Sequence, residues 1–196
     1  DLFGDRAKHK DFVGNIYKGK VAKVLPGMQA AFVDIGLDKA AFMPVSDLLV
    51  DAEPGDMLVE AEPEEDDKDS DMPRPKRQSA KPIEQLLSEG QELMVQISKG
   101  PIGTKGPRVT TELSLAGRYV VLMPHERVTR VSKRITSWAE KRRLKRVAEG
   151  VKPEGYGLII RTVAENADEA DFKEDIRQLV ETWEKVGTEN AAKPAP

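Results

Sequence analysis

Ala30-Ala31-Phe32-Val33-Asp34-Ile35-Gly36 is followed closely by Ala40-Ala41-Phe42-Met43-Pro44-Val45. Side chains alternate between the two faces of a strand. Ala31, Val33 and Ile35 therefore share one face of the first segment, and Ala41, Met43 and Val45 share one face of the second. Phe32 and Phe42 fall on the opposite faces, Phe32 beside Asp34. Each segment keeps a core-forming face that excludes its phenylalanine.

Working outward, residues 13–48 read as three strands, roughly Gly14–Leu25, Met28–Ile35 and Ala40–Val45. Pro26-Gly27 signals the first turn, Gly36-Leu37-Asp38-Lys39 links the next pair, and Ser46-Asp47 suits the cap of a short helical turn. Strands resume at Leu93–Ser98 and Val109–Leu115 around the Gly- and Pro-rich linker Lys99-Gly100-Pro101-Ile102-Gly103-Thr104-Lys105-Gly106-Pro107. Five short strands with a long insertion after the third match a Greek-key barrel of the OB type. The predicted class is mostly β, with an α+β second half.

Residues 51–82 interrupt that pattern. Glu64-Glu65-Asp66-Asp67-Lys68-Asp69 precedes Pro73, Pro75 and Pro82. Clustered charge and low hydrophobicity do not offset the entropy of ordering, so a disordered acidic insertion is expected. A solvated loop is the simplest reading, and an internal mimic of a polyanion is the sharper one. The run lacks EF-hand spacing and a glycine at the turn, which argues against a specific metal site.

The insertion also distorts the charge balance. The 196 residues carry a net charge of -3, but residues 51–81 hold 11 acids against 5 bases. Without them the remainder is +3, and residues 118–146 carry 10 Lys/Arg against 2 Glu. An acidic total therefore does not exclude a polyanionic partner. The chain has no Cys, which excludes disulfides and Cys-ligated metal. No apolar run approaches the roughly 18 residues of a membrane span, and no leader is recognisable, so a cytoplasmic location is expected. The chain starts on Asp rather than Met, and is read as a piece of a longer protein.

The second half mixes elements. Tyr119–Met123 reads as a strand, and Ser137-Trp138-Ala139-Glu140 has capping-box spacing and opens a basic helix to about Ala148. Leu158-Ile159-Ile160 reads as a buried strand running into Arg161-Thr162. A helix starts at Asp168, with Phe172, Ile176, Leu179, Val180 and Trp183 forming its apolar stripe. The predicted divisions are a flexible lead-in over 1–12, a barrel domain over 13–116, a second subdomain over 117–187 and a flexible tail over 188–196.

Several residues carry chemistry. A ring on the wet face of a basic sheet suits the stacking of unpaired bases; the alternative is that another segment covers Phe32 and Phe42. Lys18, Lys20, Lys99 and Lys105 stand where phosphate contacts would fall, although a surface lysine is more often simply solvated. Gly103 and Gly106 let a backbone approach Lys105 closely. Arg161 follows a rigid strand, where a guanidinium can grip a terminal phosphate bidentately and the Thr162 hydroxyl adds a directed donor. The competing reading pairs Arg161 with Glu165 or Asp168. Lys141-Arg142-Arg143-Leu144-Lys145-Arg146 is a solvated helix face or a contact to a nucleic-acid backbone. His9 and His125 have no identifiable ligand or catalytic partner.

The blocks Gly14-Asn15-Ile16-Tyr17-Lys18-Gly19-Lys20-Val21, Met28-Gln29-Ala30-Ala31-Phe32-Val33-Asp34-Ile35-Gly36 and Ala41-Phe42-Met43-Pro44 occur in that order. They continue through Gly103-Thr104-Lys105-Gly106, Leu115-Ala116-Gly117-Arg118-Tyr119-Val120-Val121-Leu122-Met123-Pro124 and Gly155-Tyr156-Gly157-Leu158-Ile159-Ile160-Arg161-Thr162. Together they resemble the bacterial ribonuclease E/G family over roughly residues 12–190.

The resemblance implies an S1-type RNA-binding barrel followed by a small α/β 5′-sensor subdomain. It places Phe32 and Phe42 on the RNA face and matches Lys99 and Lys105 to basic positions there. It assigns Arg161 and Thr162 to a 5′-monophosphate, with Val121 and Gly117 beside that phosphate and base, and Lys133 and Arg134 near the pocket. In that family a later Mg²⁺-binding subdomain performs the cleavage and a Cys-Pro-x-Cys zinc link joins protomers. Neither matches any segment of this chain, so no cofactor is expected within it. The expected partner is single-stranded RNA with a 5′-monophosphate, in rRNA processing and mRNA decay. The expected role is non-catalytic, with homo-oligomerisation a property of the intact enzyme. The competing expectation is a general S1-type RNA or ribosome adaptor indifferent to the 5′ end.

Overall fold

A computed structural model describes residues 12–48, 57–58, 78–79, 81–192 and 194–196. It divides into two units, the first taking in the described residues up to Leu113 together with those from Ala192 onward, and the second spanning Ser114–Ala191.

The first unit is a closed barrel of five strands, ordered β1 (Ile16–Leu25), β2 (Ala30–Asp34), β3 (Ala41–Pro44), β7 (Arg108–Thr110) and β6 (Glu92–Lys99). Its neighbours pair antiparallel except β3 and β7, which meet in parallel at Phe42 and Arg108. Closure leaves no free sheet edge. The apolar residues anticipated for the interior are there: Ala31, Val33, Ala41 and Met43 are fully buried with Val95, Ile97 and Val109.

The short antiparallel pair β4 (Met57–Leu58) and β5 (Gln78–Ser79) falls inside the expected disordered insertion; the acidic run Glu64–Asp69 lies outside the described residues. Regular structure resumes directly after the expected end of the insertion at residue 82. The one-turn helix α1 (Ile83–Leu86) drives Ile83 fully into the barrel core, a burial worth about 1.5–3 kcal/mol. At the other end, residues 1–11 lie outside the described residues, but Phe12 packs on the core rather than belonging to a lead-in.

The turn signalled by Pro26-Gly27 is a 3₁₀ segment, Pro26–Met28, and Gln29 takes the left-handed conformation at φ 45°. Gln29 is held there because its Nε2 donates to Pro26 O at 2.6 Å while its Oε1 accepts from Ile83 N at 3.0 Å. Ser46 and Asp47 lie inside a 3₁₀ turn, Val45–Asp47, and cap nothing with their side chains.

The strand expected over Val109–Leu115 stops at Thr110. The Thr110 hydroxyl donates to Asp47 O and accepts from Glu112 N, a local turn that ends the ladder. Leu115 instead opens β8 (Leu115–Ala116) in the second unit, so the division falls near residue 114 rather than after 116.

The second unit has a four-stranded sheet ordered β10 (Thr129–Val131), β11 (Gly157–Ile160), β9 (Val120–Met123) and β8. Helices α2 (Trp138–Val151) and α3 (Glu169–Ala192) bury Leu144, Ala148, Phe172, Ile176 and Leu179 in the core that also holds Val120, Leu122, Leu158 and Ile160. Ser137 caps α2 by accepting from Glu140 N. α3 runs on to Ala192, past Gly187, where a flexible tail was expected.

Candidate nucleic-acid interface

The outer face of the barrel follows from the inner one. With Ala31, Val33, Ala41 and Met43 inside, Phe32 and Phe42 must point out, and they are exact cross-strand partners. Phe32 is 36% exposed. The rings meet edge to face, with centroids 6.0 Å apart, a geometry the aromatic quadrupole favours.

The predicted lysines take different positions around the rings. Lys18 is half-buried and pairs with Glu92 at 3.1 Å. Lys20 is exposed, opposite Asp34 on one side and Glu92 on the other. Lys99 is exposed at the end of β6, opposite Arg108. Lys105 is exposed in a tight turn closed by its own N–H to Ile102 O at 3.0 Å. Gly106 is required next to it, because a Cβ there would stand 2.1 Å from Ala40 O. Arg108, which carried no expectation, sits beside Phe42 in the register and donates to Asp47 from Nε at 2.7 Å and Nη2 at 3.1 Å.

In the second unit, Arg161 leaves β11 in extended conformation and its Nη1 donates to Gly117 O at 2.6 Å. Its N–H donates to Tyr119 O at 2.9 Å. No ion pair joins it to Glu165 or Asp168 among the described residues, so the structural pairing considered for it does not form. A cavity of about 540 Å³ opens against Arg161, Arg118, Tyr119, Glu165, Asn166 and Asp171. Thr162, Val121 and Gly117 are not on its lining. Thr162 begins the 3₁₀ turn after Arg161, and Val121 lies opposite Ile159 within the sheet.

Asp175 of α3 organises this cavity. Its carboxylate accepts from the N–H groups of Arg118, Tyr119 and Val120 at 2.9, 2.7 and 3.0 Å. A Cβ at Gly117 would lie 2.6 Å from both Asp175 oxygens, so a larger residue there would displace the carboxylate from these bonds. The Arg118 guanidinium lies 5.1 Å from the centroid of the Tyr119 ring, and that ring stacks on Phe172. The missed signal was spacing: Asp175 follows Phe172 by three residues, which places a carboxylate on the apolar stripe of a helix.

The basic run on α2 separates into roles. Arg143 forks onto Glu140 and donates to Ala167 O, while Arg142, Lys145 and Arg146 are exposed. Glu140 accepts from Asn166 N as well. The Arg143 hydrogen bonds first, and that of Asn166 second, hold the Glu140 carboxyl down at about 2. Lys133 and Arg134 are exposed between β10 and α2. His125 meets Trp183 edge to face, and His9 lies outside the described residues. No three His, Cys, Asp or Glu residues gather as a metal site among the described residues. No helix among them is long and apolar enough to cross a membrane.

Residues 114–196 match the ribonuclease E/G family. Across 182 residues, 93% of its length, the chain is 45% identical to ribonuclease G of Escherichia coli strain K12. The chain is related to the ribonuclease E/G family. It is 43% identical to ribonuclease G of Haemophilus influenzae, again over 182 residues. Against ribonuclease E of Nostoc sp. it is 39% identical over 185 residues, 94% of the chain and 24% of that protein. The chain spans about a third of the length of the ribonuclease G relatives, 34% in the Escherichia coli case. The part of the chain that matches the ribonuclease E/G family model contains the cavity beside Arg161, whereas the alignment to ribonuclease G covers nearly the whole chain.

Proposed function

We propose that these residues bind single-stranded RNA and recognise a 5′-monophosphate, as the RNA-holding part of a ribonuclease E/G-like endoribonuclease acting in RNA processing and decay. The observation that carries this is the outward Phe32–Phe42 pair on a lysine-bearing barrel face, in a chain 45% identical to a protein named ribonuclease G. Every base has a π-face, so such rings grip a strand without reading its sequence.

The second grip is the cavity at Arg161. Its guanidinium is oriented by Gly117 O, and Arg118 adds a second cation on the lining. A terminal monophosphate accepts from both. Glu165 and Asp171 share the lining and repel further negative charge, which disfavours a triphosphate. Two grips on one strand make the second engagement intramolecular, which raises affinity without new contacts.

The test is binding of matched 5′-phosphorylated and 5′-hydroxyl oligoribonucleotides. Tighter binding of the phosphorylated strand, lost in Arg161→Ala, supports end recognition. Equal affinities leave the general adaptor reading in its place. In this reading the residues hold RNA and do not cut it, so labelled RNA incubated with Mg²⁺ stays intact. Cleavage that survives repurification overturns that part.

A further inference from the structure

We propose that a row of five side chains running across all the barrel strands is the RNA track, and that Lys23 and Lys99 are its terminal phosphate contacts. This rests on the RNA-binding reading of Phe32, Phe42 and Lys99 and extends it to Lys23 and Arg108, which have had no role so far. The register sets the row out strand by strand. Lys23 of β1 lies opposite Phe32, Phe32 opposite Phe42, Phe42 opposite Arg108, and Arg108 opposite Lys99 of β6. Directly paired residues on neighbouring strands project to the same side, here the outer one. With strands about 4.8 Å apart, four steps cover about 19 Å of barrel wall.

Two irregularities show how the ends of the row are made. In β1 the register shifts between Val21 and Lys23: Val21 faces Val33 in the core, and Lys23 faces Phe32 outside. Ala22 is the inserted residue. Strict alternation from Val21 would set Ala22 opposite Phe32 and turn Lys23 into the barrel. In β6 the register shifts between Ile97 and Lys99: Ile97 faces Val109 in the core, and Lys99 faces Arg108 outside. Ser98 is the inserted residue there. A bulge adds one residue and re-aims the side chains that follow. Each bulge sends a lysine onto the row that holds the phenylalanines, one at either end. The first bulge also serves packing, since it keeps Val24 on the core side and Lys23 out of it, whereas β6 ends just after the second.

The row has an apolar, aromatic middle and cationic ends. Arg108, oriented by the Asp47 carboxylate, places a planar guanidinium next to Phe42 in the row. A single strand laid along it stacks bases at the centre and sets phosphates at Lys23 and Lys99. The strand therefore runs across the β-strands rather than along them.

The experiment measures the affinity of a 5′-hydroxyl oligouridylate across a range of salt concentrations, so that the cavity at Arg161 has no phosphate terminus to read. Each lost phosphate contact lowers the slope of log K against log salt by about 0.7 for a single strand. Lys23→Gln and Lys99→Gln are each expected to lower the slope by about that amount, and together by about twice it. Lys173→Gln, an exposed lysine on α3, leaves the slope unchanged. A Lys23→Gln slope equal to wild type overturns the proposal, and if Phe32→Ala still weakens binding, the platform itself stands. If Phe32→Ala and Phe42→Ala both bind as wild type, the platform reading fails and the row falls with it.

Discussion

Phe32 and Phe42 are direct cross-strand partners whose rings meet edge to face at 6.0 Å on the outside of the barrel. Removing either ring is expected to cost RNA binding about 1–3 kcal/mol, the worth of one stacked base. Because neither side chain is buried in the core, Phe32→Ala should remain folded, losing only the ring pair's contribution of about 0.5–1.5 kcal/mol. Fluorescence anisotropy with a single-stranded oligoribonucleotide, alongside a thermal melt, separates the two effects. Unchanged affinity in both alanine variants would sink the stacking role.

At Arg161, charge and shape can be separated. The guanidinium donates to Gly117 O while lining the cavity. Lysine keeps the charge but loses the planar fork. Arg161→Lys should therefore bind 5′-hydroxyl RNA as wild type does while losing most of the preference for a 5′-phosphate. The ratio of the two affinities, measured by calorimetry, reads this directly.

Asp175 satisfies three consecutive N–H groups. Hydrogen bonds to a charged group contribute about 1.5–3 kcal/mol each, with strong non-additivity within one cluster. Asp175→Ala is expected to destabilise the second unit by at least the lower figure and to speed amide exchange at Arg118, Tyr119 and Val120. Exchange measured residue by residue would show protection unchanged at those amides if the carboxylate were dispensable.

Glu140 links the start of α2 to Arg143 and to the N–H of Asn166. Its folded pKa is lowered to about 2, from an ordinary 4.5. A depressed carboxyl stabilises the fold at pH values above its unfolded pKa, and that contribution fades as pH falls from about 4.5 towards 2. Glu140→Gln should lower the stability of the second unit at neutral pH and flatten its loss in that acid window. Chemical denaturation at a series of pH values measures both.

Gly106 leaves no room for a side chain, with Ala40 O 2.1 Å from where a Cβ would stand. Gly106→Ala should disturb the approach of β7 to β3, where Phe42 N donates to Pro107 O at 2.8 Å. A lowered melting temperature together with weaker RNA binding is expected. A variant as stable as wild type would mean the turn relaxes freely.

Alternation made the barrel legible, because Ala31, Val33, Ala41 and Met43 have one consistent inner side and only a closed sheet buries them all. The same rule hid Lys23, since strict alternation along β1 sends it inward and no local residue announces the extra Ala22. Arg161 was legible as a cation after a rigid strand. Asp175 was not, because a carboxylate on a helix stripe signals a polar partner without saying which loop, far away in sequence, supplies it. The end of β7 also escaped, since Thr110 has good strand propensity and only its hydroxyl's partners, Asp47 O and Glu112 N, reveal the turn.

The three bonds from Asp175 to Arg118, Tyr119 and Val120 span 55 to 57 residues of sequence. This has a consequence for the order of assembly during synthesis. At about 5–20 residues per second, roughly 3 to 11 s separate the making of that loop from the making of its anchor. A nascent chain stalled before Asp175 would carry Arg118 and Tyr119 on an untethered segment, so the cavity at Arg161 matures only once that residue of α3 has been made.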